Sequence, residues 1–96
     1  MKILFAPIKV NDEEKIDDNI VNDYIVGYEP FKIGDKTAIV KATLKNGFVI
    51  IESSSCVDPK DFNMSLGTEI CISKIRAKVW ELLGFLLQTT QYKEEI

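Results

Sequence analysis

Three hydrophobic periods divide the chain. Over residues 12–21 apolar side chains are sparse, and Ile16, Ile20 and Val21 form a thin stripe among acids. Asn11 suits a helix N-cap, Glu14 three residues on completes a capping box, and Asp12 and Glu13 favour the positive end of a helix dipole. The pattern predicts a short helix over residues 12–21. Before it, the apolar run Ile3-Leu4-Phe5-Ala6, stopped by Pro7, reads as an arm or edge strand within residues 1–9.

From Tyr24 the side chains turn aromatic and β-branched, and the period drops to two. Tyr24-Ile25-Val26-Gly27-Tyr28 and Phe31-Lys32-Ile33 predict a first strand, which Pro30 demotes to an edge or marks with a bulge. Gly34-Asp35 makes a turn, residues 37–44 a second strand and residues 48–53 a third. Between the last two, Asn46-Gly47 is the signature of a two-residue type I′ turn, in which both central residues need positive φ. Such a turn sets Leu44 opposite Val49 and Lys41 opposite Glu52. One face then carries Val40, Ala42, Leu44, Val49 and Ile51 as the core. The other carries Ile39, Lys41, Thr43, Phe48, Ile50 and Glu52.

Asp58 as N-cap with Pro59 at the first helical position predicts one helical turn through Phe62. A long helix follows over residues 64–88. Ile72, Ile75, Val79, Leu82 and Leu86 alternate steps of three and four, which makes a single stripe, and Trp80, Leu83 and Leu87 make a second beside it. Trp80 reads as core. Gly84, a weak helix former, reads as a place where another backbone crosses closely. Residues 89–96 are polar and read as a frayed tail. The expected fold is one α+β domain over residues 1–96: a short N-terminal helix, a three-stranded antiparallel β-meander, and a long C-terminal helix packed on one sheet face.

Composition adds a constraint on assembly. A chain of 96 residues, 46% hydrophobic, has room for one core. That core does not bury two helix stripes and an apolar outer sheet face as well, whereas one self-complementary patch covers them in a symmetric pair. The expectation is a homodimer or a higher multiple, with Phe48, Ile50, Leu83, Phe85 and Leu87 at the interface.

Charge and residue usage exclude several functions. Fifteen acids outweigh twelve bases and Arg76 is the only arginine, so no general nucleic-acid surface is expected. The most apolar late stretch carries Glu81 and falls far short of the ~20 residues of a membrane span. There is no histidine, which removes Ser-His-Asp and Cys-His nucleophiles, imidazole metal ligands and imidazole acid–base steps. Two cysteines, Cys56 and Cys71, are too few and too far apart for a disulfide framework or a zinc site, and they read as free thiols, with a single Cys56–Cys71 bridge as the alternative. No catalytic residue, metal or cofactor is expected.

Candidate ligand chemistry is thin. Ser53-Ser54-Ser55 leads to a helix start whose N–H groups favour anions, although Asp58 already caps it. Lys74 and Lys78 share a helix face and, with Arg76, make a small basic patch. Ser53, Ser54, Ser55, Lys74 and Arg76 are therefore the candidate ligand-binding residues. The acidic run from Asp12 to Asp18 reads as a solvated helix face, with nucleic-acid mimicry as the sharper alternative.

One set of residues resembles a known family. It runs Thr43-Leu44-Lys45-Asn46-Gly47-Phe48, Glu52-Ser53, Cys56-Val57-Asp58-Pro59 with Phe62, then Lys78-Val79-Trp80 with Leu82 and Gly84-Phe85-Leu86-Leu87. In order and spacing this is similar to the small tailed-phage proteins named for gene product forty-nine of an enterobacterial podophage and gene sixty-six of a Shigella phage. The chain departs from their pattern at Glu81, where they carry proline, and at Phe85, where they carry tyrosine. The resemblance implies a phage or prophage accessory protein made in the host cytoplasm. Two functions are compatible with these features. One is a non-enzymatic counter-defence sponge that sequesters a small nucleotide signal within an oligomer. The other is an inhibitor or adaptor that binds a host or defence protein directly.

Overall fold

The computed structural model of the chain describes residues 15–92. The elements follow the order α1 (Asp18–Tyr24), β1 (Ile25–Ile33), β2 (Thr37–Leu44), β3 (Val49–Ser55), a 3₁₀ turn over Pro59–Asp61, and α2 (Met64–Tyr92). The strands form one antiparallel sheet in the order β1-β2-β3, and α2 packs on β2 and β3. This is the expected α+β architecture. The expected arm over residues 1–9 and the capping box at Asn11 and Glu14 lie outside the described residues.

The first helix begins later than its acidic run suggests. Asp17 is the N-cap, its carboxylate accepting the Ile20 N–H at 2.9 Å. Ile16 and Val21 then hold the flanking positions of a hydrophobic staple. Val21 is fully buried, with Ile16, Ile20 and Tyr24 packed against the same cluster. The apolar anchor decides the start, since an N-cap at Asn11 leaves Ile16 inside the helix.

The hairpin between β2 and β3 departs from expectation by one residue. Leu44 N–H donates to the Phe48 carbonyl at 2.9 Å, and Gly47 N–H donates to the Leu44 carbonyl at 2.9 Å. The loop therefore holds three residues, Lys45, Asn46 and Gly47. A loop of this length needs positive φ only at its last residue, and Gly47 supplies it at 88°. Asn46 Oδ1 accepts the Phe48 N–H at 3.0 Å and braces the corner. The register becomes Thr43 with Val49, Ala42 with Ile50, Lys41 with Ile51 and Val40 with Glu52. A shift of one residue turns every β3 side chain to the other face. Ile50, not Val49 or Ile51, joins Val40, Ala42 and Leu44 in the core, at 5% exposure. The expected Lys41–Glu52 pair is replaced by two others. Glu52 meets Lys78 of α2 at 2.5 Å, and Lys41 lies 3.9 Å from Glu29 of β1.

The strand β1 is continuous through Pro30, with its register broken between Ile25 and Gly27, where Val26 bulges out. The long helix buries Gly67, Cys71, Ile75, Val79 and Leu83, every fourth residue. A line of such steps winds slowly around a helix and so stays over a twisted sheet before turning toward α1. Leu83 thus takes the inward place expected of Leu82, and Trp80 is 39% exposed rather than core. The close backbone approach falls at Gly67, where a Cβ would stand 2.9 Å from that of Ala38, while Gly84 faces open space. The helix starts on Asn63, whose Oδ1 accepts the Leu66 N–H at 2.9 Å, and it includes Thr89 to Tyr92 of the segment expected as tail.

The loop geometry makes a direct prediction. Gly47→Val should destabilise the fold by well over ~1 kcal/mol, because a β-branched residue resists positive φ. Urea unfolding checks it: an unchanged midpoint would mean that position 47 does not hold the left-handed conformation.

Candidate functional site

The register determines what each surface of the sheet offers. On the inner face the side chains meet α1 and α2. The outer face takes the alternate positions: Glu29, Phe31 and Ile33 from β1, Thr37, Ile39, Lys41 and Thr43 from β2, and Val49, Ile51, Ser53 and Ser55 from β3. Phe31, Ile33, Val49 and Ile51 are 48%, 55%, 43% and 60% exposed, with Ile39 half-buried among them. Both described helices lie on the other side of the sheet. Among the described residues, the charges at the centre of this apolar band are Glu29 and Lys41, which face each other.

A second apolar feature lies where the hairpin tip meets α2. Tyr24, Leu44, Phe48, Leu82, Phe85 and Leu86 line an open cleft of about 170 Å³. Pockets that enclose a small molecule hold about 300 Å³ or more, so this cleft has room for a side chain and not for a nucleotide. Of the residues expected at a subunit interface, Phe48 and Phe85 are exposed at this cleft, at 53% and 75%. Leu87 is half-buried on α2. Ile50 and Leu83 belong instead to the protomer's own core, Ile50 through the register shift and Leu83 through the winding of the buried line.

The candidate ligand residues are divided between two sides of α2. Lys74 Nζ donates to the Ser53 carbonyl at 2.8 Å, so these two do come together. The Ser55 hydroxyl is 2.7 Å from that of Thr37, and Ser54 is half-buried opposite Ala38. Arg76 faces the other way and holds Asp18 at 3.0 Å. It also lies near enough to Tyr28 to oppose the upward push that burial gives the Tyr28 hydroxyl. Other cations are likewise engaged: Lys45 with Asp23 at 2.6 Å, Lys78 with Glu52, and Lys36 with the Val57 carbonyl at 3.3 Å. In the acidic run, Asp17 is spent as a cap and Asp18 as the partner of Arg76. Asp58 caps the 3₁₀ turn by accepting the Lys60 N–H at 3.0 Å.

Among the described residues no three metal-ligating side chains come together, and no helix is long and apolar enough to cross a membrane. Among the described residues, the paired charges tie elements to one another, and the outer sheet face and the hairpin-tip cleft expose apolar side chains. Sequence reasoning missed the outer face of β3 because the wrong register had Val49 and Ile51 inside. The signal was present in the uninterrupted run Phe48-Val49-Ile50-Ile51, which is apolar in either register.

Comparison with known proteins identifies a family. A family model described as the phage protein (N4 Gp49/phage Sf6 gene 66) family matches residues 12–91. No curated protein and no solved structure matches the chain.

The two thiols differ in a way that can be measured. Cys71 is fully buried, its thiol pointing at the Ala38 carbonyl, and burial pushes its pKa above the ordinary value. Cys56 is half-buried near the surface. Thiolate is the reacting form, so an alkylating reagent at neutral pH should modify Cys56 first and Cys71 only on unfolding. Equal rates, followed by mass spectrometry, would contradict this placement of Cys71.

Proposed function

This chain belongs to the phage protein family of N4 Gp49 and phage Sf6 gene 66, and from that premise we propose that it is an accessory protein that binds rather than catalyses, acting in the host cytoplasm. The favoured form of this reading is an inhibitor or adaptor that holds a host or defence protein against the outer sheet face. The supporting observation is the exposure of Phe31, Ile33, Val49 and Ile51 on the side of the sheet away from both described helices. An antiparallel sheet with one solvated face ordinarily alternates apolar inward and polar outward. Here five outward positions, Phe31, Ile33, Ile39, Val49 and Ile51, are also apolar, and each such side chain gains roughly 1.5–3 kcal/mol on full burial. A partner with a matching apolar patch recovers that gain.

Sequestration of a small nucleotide inside an oligomer, as a counter-defence sponge, is the second reading. It draws support from Lys74 and Lys78, which stand on one side of α2 beside Ser53 and Glu52. Each lysine then exchanges its present partner for a phosphate, and neighbouring copies supply the volume that the cleft of one protomer lacks.

Affinity purification from host lysate with the wild type and with Phe31→Asp separates these readings. Phe31 is half exposed on β1, so the variant should keep its melting temperature. Docking on the outer face predicts a retained protein that the variant loses at least tenfold. The same retention by both forms, or none by either, rejects it. A rise in melting temperature with one nucleotide from a mono-, di- and cyclic-nucleotide panel instead favours sequestration, by mass action.

A further inference from the structure

The two edges of the sheet are built differently. The β1 edge carries a bulge at Val26 and a proline at position 30, both of which block the pairing of another strand. The β3 edge carries neither, and no described strand lies beyond it. In an antiparallel ladder the backbone groups alternate between the two sides. Leu44 N–H donates to Phe48 and Cys56 N–H to Lys36, so the even-numbered residues of β3 face β2. The N–H and C=O groups of Val49, Ile51, Ser53 and Ser55 therefore point to the open edge. Lys74 donates to the Ser53 carbonyl and closes the far end of that edge. Val49 and Ile51 are left as the segment able to pair.

The helix above this edge is apolar at the same end. Lys74, Lys78, Leu82 and Phe85 follow one another by steps of four, four and three, which is one stripe of α2. The two lysines reach Ser53 and Glu52 of β3, so the stripe overlooks the β3 edge. Its second half presents Leu82 and Phe85, 41% and 75% exposed, beside Phe48 at 53%. Backbone groups that need a strand and a helix stripe that needs an apolar neighbour thus lie side by side.

We propose that the β3 edge pairs with the β3 edge of a second copy of this chain, antiparallel about a two-fold axis beside Ile50. Val49 of each copy then exchanges backbone hydrogen bonds with Ile51 of the other, and the Lys74–Ser53 contact stays intact. The same axis brings the helices together. Since α2 packs on both β2 and β3, it lies above the space between them. With strands about 4.8 Å apart, each helix axis is about 5 Å from the two-fold, so the two axes run about 10 Å apart. Helices pack at about 8–10 Å. Leu82 and Phe85 of one copy meet the antiparallel helix of the other, and Phe48 closes the lower side.

The area can be bounded. α2 runs opposite in direction to β3, with Lys78 over Glu52 and Leu82 beside Phe48, so the axis beside Ile50 passes near Trp80. The helices then overlap over about 25 residues, or about 37 Å by the helical rise. With a molecule 20 Å deep on its shortest axis, the facing section is at most about 700 Å² per copy, and because the strands meet only over Val49 to Ile51 the contact lies at the lower end of the range for stable interfaces. The outer faces of the two sheets join in this arrangement, so the surface proposed above for a partner protein is extended rather than covered.

Sedimentation equilibrium at micromolar concentration tests it with three forms: wild type, Phe85→Glu and Val49→Pro. Val49→Pro deletes an edge-facing N–H while sparing the bonds to β2. The wild type should weigh twice 10.9 kDa, and both variants should dissociate at least tenfold more readily while keeping their helical circular dichroism. Should Val49→Pro fail to fold, Phe85→Glu decides alone. A monomeric wild type overturns the proposal. Slow amide exchange at Val49 and Ile51 in that monomer would mean that another segment of the same chain occupies the edge. A dimer that both variants leave intact also overturns it, because the contact then lies elsewhere.

Discussion

The conformation of one glycine governs most of what this protein presents to its surroundings. Gly47 closes a three-residue loop in the left-handed region, and that loop length decides which side chains of β3 face α2. Ile50 then completes the core with Val40, Ala42 and Ile75. Glu52 comes under α2 and meets Lys78. Val49 and Ile51 are left on the outer face with their backbone groups at the open edge. The core, the charge pairing and both apolar surfaces follow from a single turn.

Charged residues here serve mainly as ties. Arg76 joins α2 to α1 through Asp18, Lys78 joins it to β3 through Glu52, and Lys45 joins the hairpin loop to Asp23. Each of these pairs has at least one exposed member, so each adds only a fraction of a kilocalorie to roughly 1 kcal/mol. Their effect is to place α1, the sheet and α2, while burial of Val21, Ile75 and Val79 supplies the larger gain. Among the described residues the basic groups of Lys36, Lys41, Lys45, Lys74, Arg76 and Lys78 are all engaged within the fold, while Phe31, Ile33, Val49 and Ile51 leave an apolar area on the outer sheet face.

Much of the fold was legible in the sequence, and the misreadings have definite causes. The alternation over β2 and the Asp58-Pro59 start each have one structural meaning and appear as expected, and the spacing after Met64 gives the expected helix, although its buried line runs through Leu83 and not Leu82. Asn46-Gly47 has two, because glycine at the second position serves a two-residue and a three-residue loop equally well. Polar residues on one face ordinarily resolve such an ambiguity. In Phe48-Val49-Ile50-Ile51 both faces are apolar, so neither register is penalised within the strand. The start of α1 was misread for a related reason: Asn11 and Asp17 are both good caps, and only the burial of Val21 selects between them. The division of Arg76 from Lys74 was likewise hidden, since it depends on which side of α2 receives α1.

The hairpin register is the claim on which the rest stands, and nuclear Overhauser contacts across the hairpin test it most directly. In antiparallel strands the α-protons of opposite residues come closest at the non-hydrogen-bonded pairs. The three-residue loop predicts strong contacts between the α-protons of Thr43 and Val49, and of Lys41 and Ile51. Strong contacts from Val49 to Leu44 and from Ile51 to Ala42 would restore the two-residue turn. They would place Ile51 inside and Ile50 outside, the reverse of the register that Gly47 sets here.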